Sequence, residues 1–385
     1  MSKIMDDVRY LAGALPHRES QTDEEDAAGR HIESRLRENF EDVSVEPFGA
    51  VDNFPLLTAS YLGEYAVVGV LAVWWPLASA VYGVAVSLAF LAEWSGRPVF
   101  SRLLPHYESA NIVACYQSPE PRMTVVVTAR HDSGPATLLT HPAVAPRLGM
   151  VYLLLLLAMA LVIGSSAAEG IAGLRGLAIP WAPWVRWGAV AVLLAGALAH
   201  FIAAGWNADV PGGNGNASGV AALLRLGELL AEEPPRHADV WLAATGAHSR
   251  GMAGMRALLA ESGLDPNETH LINLESVGAG RLCHTTAEGM PLPAATGAAL
   301  RAAAEKSAGA HGFAPARLTR VSTEAHAALS RGWSAMSLVG IGPQGVPCHW
   351  HWVTDTAGVV DEAKVEAAAA FARAIIANLE AGGEC

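Results

Sequence analysis

The segment GGNGNASGVAALLRLGELLA, which runs from Gly212 to Ala231, determines how the rest of the chain is interpreted. Its first residues are the glycines and asparagines of a tight turn. Apolar residues then recur at helical spacing, which predicts an amphipathic helix. In α/β folds, a constrained loop that leads into a helix is a common place for a bound ligand. The central residue of this loop is Gly215, which has no side chain to offer such a ligand.

The composition indicates a membrane protein rather than an ordinary soluble enzyme. Hydrophobic residues make up 52% of the chain and charged residues only 16%, and soluble domains are usually richer in charge. The net charge of −12 argues against nucleic acid as a partner, because phosphate binding requires clustered Lys and Arg. The four cysteines form no CxxC pair, so neither a disulfide framework nor a cysteine zinc site is expected.

Three long apolar runs interrupt the chain. The runs 148–168 and 187–206 are each long enough to cross a membrane once as a helix. The run 65–92 contains no charged residue, and when it is extended back to Leu56 it can form a hairpin that turns at Pro76. A single long crossing over this run is the alternative.

Strand-like runs lie on both sides of every apolar run, which limits the possible topology. They occur at 43–48, 111–116, 124–129, 239–245, 271–277 and 335–341, with helical stretches between several of them. Such a pattern predicts an α/β fold with a mixed sheet covered by helices. Because these strands must pair in one sheet, each membrane-inserted segment must return to the side of the membrane from which it entered. This favours the hairpin and about four crossings in total.

We therefore divide the chain into one α/β domain and two transmembrane inserts. The α/β domain comprises 1–55, 95–147 and 207–385, the first insert is a hairpin at 56–94, and the second is a helix pair at 148–206. The N-terminal residues contain no apolar core of signal-peptide length. We therefore expect a multi-pass membrane protein whose α/β domain is cytoplasmic.

Several motifs follow the strand ends in a recognisable order. The sequence NGNASGVAALL (214–224) resembles an Asn-Asp-Asn-Ala-Ser-Gly-Val loop, and HWVTDTAGVVD (351–361) resembles a closing His-Thr-Pro-x-Asp-Thr motif. The segment STEAHAALSRGWSAMSLVGI (322–341) is similar to the one that precedes that closing motif. In this order the chain resembles the family-28 metallopeptidases of clan MH, which are di-zinc aminopeptidases and glutaminyl cyclases. The resemblance implies a zinc-aminopeptidase-like sheet and a peptide or amide substrate.

The same resemblance implies that most of the family's metal site is lost. The histidine ligand of the first zinc falls on Arg130, and the acidic residue that supports it falls on Asp132. The aspartate that bridges the two metals falls on Gly215. The glutamate that acts as general base falls on His248, and the adjacent glutamate ligand falls on Ser249.

Only Glu275 and His351 remain as metal ligands in this correspondence. Arg130 would repel a cation, because its guanidinium is always charged. We therefore expect no cofactor, or at most one zinc held by Glu275 and His351 with His248, since zinc accepts carboxylate and imidazole ligands. The position of His131, one residue beyond Arg130, would point it away from the site by strand alternation.

A metal-free arrangement is the other alternative. In it His248 is the base, Asp132 orients its ring, Ser249 lies nearby and Arg130 binds a substrate carboxylate. Trp352, with Trp350, lines the remnant pocket or packs in the interior.

Two residues preceding the closing motif, Glu324 and His326, are expected to lie in a solvated loop.

Two functions of different class follow from this reading. The first is a membrane-anchored pseudoenzyme that binds a peptide or a partner membrane protein, and the missing side chain at Gly215 favours it. The second is an enzyme of altered chemistry, a hydrolase or acyl transferase acting on a peptide or amide, and His248 at the base position favours it. An active zinc aminopeptidase is disfavoured by Arg130 and Gly215.

Overall fold

The computed structural model describes residues 2–94 and 97–382 and divides into two compact units. The first, which we call the α/β unit, comprises Met1–Ala50, His106–Pro146 and Ala208–Cys385. The second, which we call the helical unit, comprises Val51–Pro105 and Arg147–Asn207.

Eleven α-helices and nine strands are found in the described ranges. The helices are α1 (Lys3–Arg9), α2 (Asp23–Leu36), α3 (Phe54–Leu71), α4 (Pro76–Trp94), α5 (Leu148–Leu174), α6 (Ala182–Gly205), α7 (Ser218–Glu232), α8 (Ala253–Glu261), α9 (Ala298–Ser307), α10 (Glu324–Leu329) and α11 (Glu362–Gly382). The strands are β1 (Val43–Val51), β2 (His106–Tyr116), β3 (Met123–Arg130), β4 (Ala238–Thr245), β5 (Thr269–Glu275), β6 (Arg281–Glu288), β7 (Ala294–Ala295), β8 (Ala314–Leu318) and β9 (Ser334–Ile341).

The strands form one mixed sheet in the order β1-β2-β4-β3-β5-β9-β6-β7, with β8 paired to β6. Its centre, β4-β3-β5-β9, is parallel, and β2 and β6 pair antiparallel on either side of this centre. Arg130 at the end of β3 is opposite Thr245 at the end of β4. The carboxyl ends of β3, β4 and β5 therefore meet at the same edge of the sheet, where ligands bind in open α/β folds.

Helix α7 positions the glycine-rich loop against this edge. Its apolar face, which includes Val220 and Leu223, is fully buried in the main core. A Cβ at Gly219 would lie 2.4 Å from the carbonyl oxygen of Leu274 in β5, so only glycine allows the helix to approach the strand this closely. The loop that precedes α7 is therefore held at the end of β5.

The predicted α/β fold, a mixed sheet covered by helices, is confirmed, and the six predicted strands correspond to β1–β5 and β9. Strands β6, β7 and β8 were not predicted. The sequence of β6, RLCHTTAE, carries no apolar run, because half of its buried side chains are polar. Glu288 in β6 is buried and accepts hydrogen bonds from Ser337 and Thr323, so this strand is stabilised by partners that are remote in sequence.

The helical unit contains four helices, α3 to α6, that are long and apolar enough to cross a membrane. The run 56–92 forms two helices separated at Pro76 rather than a single long one. Many large apolar side chains are exposed on these helices, including Leu88, Leu153 and Phe201. Polar groups inside the unit are paired across helices: Glu169 of α5 binds Arg186 of α6, and Tyr82 of α4 donates to Glu64 of α3.

Candidate functional site

Arg130 and Glu275, at the ends of adjacent parallel strands, form a buried ion pair. Arg130 Nε and Nη2 each lie 3.3 Å from Glu275 Oε1 and donate to it. Both side chains are only 3% exposed. The carboxylate assigned by the resemblance as a metal ligand is therefore already bound to a cation of the protein itself.

The space beside Gly215 is also filled. Gly215 lies in a π-helical turn, Gly213–Ala217, whose backbone N–H groups bind the carboxylate of Asp355: Asn214 N donates to Oδ1 at 2.6 Å and Gly215 N donates to Oδ2 at 2.9 Å. A Cβ at Gly215 would lie 2.6 Å from Asp355 Oδ2 and 3.2 Å from Arg130 Nη2. Any side chain at this position would have to displace one of these groups.

Asp355 itself is almost completely buried. Burial raises the pKa of its carboxyl to about 7, although the two amide hydrogen bonds and the charges of Arg130 and Arg18 oppose the shift. Through its two amide hydrogen bonds, this carboxyl joins the glycine-rich turn to the closing motif.

Asp132 anchors the loop that carries His248 and Ser249. It accepts hydrogen bonds from the backbone N–H of His248 at 2.9 Å and of Ser249 at 3.1 Å, and from the hydroxyls of Ser249 and Ser20. Burial raises the pKa of Asp132, but the charges of His248 and Arg130 and the amide hydrogen bonds lower it to about 2. Asp132 thus binds the backbone of His248 rather than orienting its ring, and the Ser249 hydroxyl is directed to Asp132.

Glu324, not Asp132, is the acid beside the His248 ring. Its Oε1 lies 3.5 Å from His248 Nδ1, and both carboxylate oxygens accept from the Thr245 hydroxyl at 2.7 Å. The expectation that residues 324–326 form a solvated loop is wrong, because Glu324 is fully buried as the first residue of α10. Thr323 caps this helix by accepting from His326 N. A threonine before a helical run was the signal that could have predicted the helix, although not the burial of Glu324.

His351 is buried next to this pair and is held in an unusual backbone conformation. Its φ is +45°, and its ring stacks on that of His248 with a centroid distance of 6.1 Å. A Cβ at Gly134 would lie 2.2 Å from His351 Nδ1, so the ring packs directly on a glycine backbone. Burial, together with the charges of Arg130 and His248, holds the pKa of His351 well below its ordinary value. This imidazole is therefore neutral at pH 7.

The remaining candidates lie at the margin of this cluster. His131 points away from Arg130, with its Nε2 4.0 Å from Glu25 Oε1. Trp352 packs edge-to-face on His141, and His349 is exposed and contacts the Thr354 hydroxyl.

Arg18 was not predicted as a site residue, but its side chain binds the glycine-rich loop. Its side chain is fully buried and donates to the carbonyl oxygens of Leu15 and Pro211 and to Asn216 Oδ1. Burial lowers its pKa to about 10, which leaves it charged at neutral pH. The glycine-rich turn is thus fixed from two sides, by Arg18 and by Asp355.

The residues present do not fit a di-zinc centre. The guanidinium of Arg130 is bound to Glu275, and Gly215 supplies no bridging oxygen. Within residues 2–94 and 97–382, no group of three or more His, Cys, Asp or Glu side chains is arranged to hold a metal ion. In this geometry His248, Glu275 and His351 do not form a mononuclear donor set either, because Glu275 is turned to Arg130.

Comparisons with known proteins agree with the fold. The model of peptidase family M28 matches residues 193–376. A leucine aminopeptidase precursor from Bacteroides thetaiotaomicron has 14% identity and a TM-score of 0.54, with 97% of this chain and 95% of that chain covered. A glutaminyl cyclase from the same organism has 13% identity and a TM-score of 0.55, covering 97% and 96%.

A Zn-dependent exopeptidase from Parabacteroides distasonis is similar to the same extent, with 13% identity, a TM-score of 0.54 and 97% of each chain covered. At such identities these structures establish the fold alone. No curated protein sequence matches the chain. Residues 193–376 thus match the model of peptidase family M28, and the fold is similar to that of zinc aminopeptidases and glutaminyl cyclases.

Proposed function

We propose that this protein is a membrane-anchored member of family M28 with a binding or scaffold role in place of di-zinc peptide hydrolysis. The observation that carries the proposal is the buried ion pair of Arg130 and Glu275. A guanidinium cannot lose its proton in a protein, so it cannot become a ligand. Removing it from a buried pair would leave an uncompensated carboxylate, which is strongly unfavourable.

Hydrolysis by the metal-dependent route needs ions that activate water and polarise the attacked carbonyl. Glu275 would have to exchange Arg130 for a metal, and Gly215 would still provide no bridge between two metals. In the proposed binding role, the ligand is a peptide or a partner membrane protein.

We expect the purified protein to contain far less than one zinc per chain, because Arg130 occupies the only surviving carboxylate ligand. The full chain, in detergent or lipid nanodiscs, is equilibrated with zinc, dialysed and analysed by mass spectrometry. Release of amines from aminoacyl anilides and cyclisation of N-terminal glutamine are assayed on the same sample, with and without chelator.

Two variants make this measurement decisive. His351→Ala removes one of the two remaining candidate metal ligands. The matched control is His349→Ala, which removes an exposed histidine two residues away. A zinc content near one or two per chain that falls in His351→Ala but not in His349→Ala would contradict the proposal. Chelator-sensitive activity with the same pattern would contradict it as well.

We also propose that α3 to α6 anchor the protein in a membrane, with the α/β unit on the cytoplasmic side. The turn between α3 and α4 carries Trp74 and Trp75, and the connection between α5 and α6 carries Trp181, all of them exposed. Tryptophan is enriched at membrane–water interfaces. Short connections with interfacial tryptophans are what two hairpins crossing a bilayer require.

A tag inserted after Gly176 should be labelled from outside intact cells, whereas a tag after Gly263 should be labelled only after the membrane is permeabilised. Both glycines have open surroundings and positive φ, so both inserts should be tolerated. The first lies between α5 and α6 and the second lies in the α/β unit. Identical labelling of the two tags would rule out a crossing hairpin, and the reversed pattern would place the α/β unit outside.

The contact of His248 with Glu324 favours a second candidate function, an enzyme of altered chemistry acting on a peptide or amide. Glu324 beside Nδ1 leaves Nε2 as the ring atom that can accept a proton from a substrate or water. A hydrolase or acyl-transferase activity that survives chelation, and that is lost in both His248→Asn and Glu324→Gln, would establish this function instead.

A further inference from the structure

A cleft lies beside the closing motif, outside the cluster of Arg130, Glu275, His248 and His351. It lies between the segment 140–145 and the loop 344–354, is partly open to solvent and has a volume of about 200 Å³. Its lining includes Thr140, Gln344, Val346, Trp350, Trp352 and Thr354. All of them belong to the α/β unit.

Two indole rings form part of the wall and are held from behind. Trp350 meets the His351 ring edge-to-face at 4.8 Å and packs against a core cluster that includes Val346. Trp352 meets the His141 ring edge-to-face at 4.9 Å. The two rings therefore have supporting contacts before any ligand binds, so little side-chain ordering is needed when a ligand enters.

The backbone that presents these rings is strained. His349 and His351, on either side of Trp350, both have left-handed backbone conformations, with φ of +59° and +45°. Such conformations are unfavourable for non-glycine residues and are concentrated at functional sites. The loop thus maintains the positions of Trp350 and Trp352 at an energetic cost.

The chemistry and size of the cleft limit its ligand. None of its ten lining residues is Asp, Glu, Lys or Arg, so a charged group would lose hydration without gaining a counter-ion. A volume of 200 Å³ is below the roughly 300–1,000 Å³ of sites for drug-sized ligands, and it suits a single ring. Indole rings favour planar partners in offset or edge-to-face contact.

We propose that this cleft binds an uncharged aromatic side chain of a partner polypeptide. The proposal rests on the binding role proposed above and names the group recognised. Gln344 supplies an amide group in the lining, and this group can hydrogen-bond a peptide group beside the bound ring. The hydroxyls of Thr140 and Thr354 are bonded within the protein, to Thr137 and to His349.

Fluorine NMR of the full chain in nanodiscs tests this assignment. The tryptophans are replaced biosynthetically by 5-fluorotryptophan, and the signals of Trp350 and Trp352 are assigned with Trp350→Phe and Trp352→Phe. The probe is N-acetyl-phenylalanine amide, with N-acetyl-lysine amide as the charged control. We expect saturable shifts of both signals with a roughly millimolar Kd, as a single small ring contact allows, and no shift of Trp241, which lies in β4.

The matched variants are Trp352→Leu, which should weaken the binding of the probe at least tenfold, and Trp184→Leu, an exposed tryptophan of the helical unit, which should leave it unchanged. A linear, unsaturable shift, equal shifts with the lysine probe, or equal binding by the two variants would each overturn the proposal. This outcome is separable from the zinc measurement. A zinc-free chain with no saturable shift would overturn only the ligand proposed for the cleft. A zinc-loaded chain with a saturable shift would overturn only the proposed non-peptidase role.

Discussion

Replacing Arg130 with methionine should lower the free energy of unfolding of the α/β unit by about 3–5 kcal/mol. The variant leaves the Glu275 carboxylate buried without its cation, and breaking buried pairs in this way has effects of that size. Glu275 Oε2 is already buried without a hydrogen-bond partner among the described residues, so Arg130 supplies most of the compensation. For a domain of this size the melting temperature should fall by roughly 10 °C.

A double-mutant cycle separates the ion pair from simple packing. The double variant Arg130→Met/Glu275→Leu should regain most of the lost stability, because it buries no charge. Arg281→Met is the matched control, since Arg281 is exposed at the start of β6. Thermal unfolding is followed by intrinsic fluorescence in detergent. A loss below about 1 kcal/mol, or a double variant less stable than Arg130→Met, would show that the pair is not the element that stabilises the site.

Replacing Gly213 with alanine should destabilise the α/β unit by about 3 kcal/mol or more. The new Cβ would lie 2.1 Å from the carbonyl oxygen of Thr356 and 2.3 Å from its carbonyl carbon. Both atoms belong to the backbone, so the two loops would have to separate. Overpacking that moves the backbone lowers the free energy of unfolding by an amount at the upper end of the usual range. The hydrogen bond from Gly213 N to Asp355 O, at 3.0 Å, would be lost as well.

Gly358→Ala is the control for this substitution. Its Cβ would lie 3.7 Å from the Thr356 hydroxyl oxygen, an ordinary contact, in the same closing loop. Its stability should stay within about 0.5 kcal/mol of the parent. If Gly213→Ala is too unstable to purify, the folded, monodisperse yield of the two variants from the same membranes gives the comparison. Equal yields and equal melting temperatures would contradict the close contact between the loops.

The parts of the fold that could be predicted from sequence are those stabilised by apolar burial. Strands β3, β4 and β5 are near-continuous apolar runs, so their ends, and with them Arg130 and Glu275, could be placed in advance. The four long apolar helices, α3 to α6, were predictable for the same reason. The pairing of Arg130 with Glu275 was not predicted, because residues 145 positions apart are brought together only by the order of the strands.

The parts that could not be predicted depend on polar contacts between distant segments. Glu324 is buried because Thr245 donates to it, and Arg18 is buried because carbonyl oxygens of two separate loops surround it. Nothing in the local pattern around either residue distinguishes it from a surface charge. Strand β6 was missed for the same reason, since its buried Glu288 is stabilised by Ser337 in β9.

The close packing around Gly215 has a consequence for how this site could change over time. A lone Gly215→Asp substitution would press a second carboxylate against Asp355, 2.6 Å from the new Cβ. A lone Arg130→His substitution would remove the permanent cation from Glu275. We expect each substitution by itself to destabilise the chain, so the gain of a metal-binding side chain at either position would pass through a less stable intermediate. If the site has the non-peptidase role proposed above, single mutations at these two positions would therefore not restore metal binding.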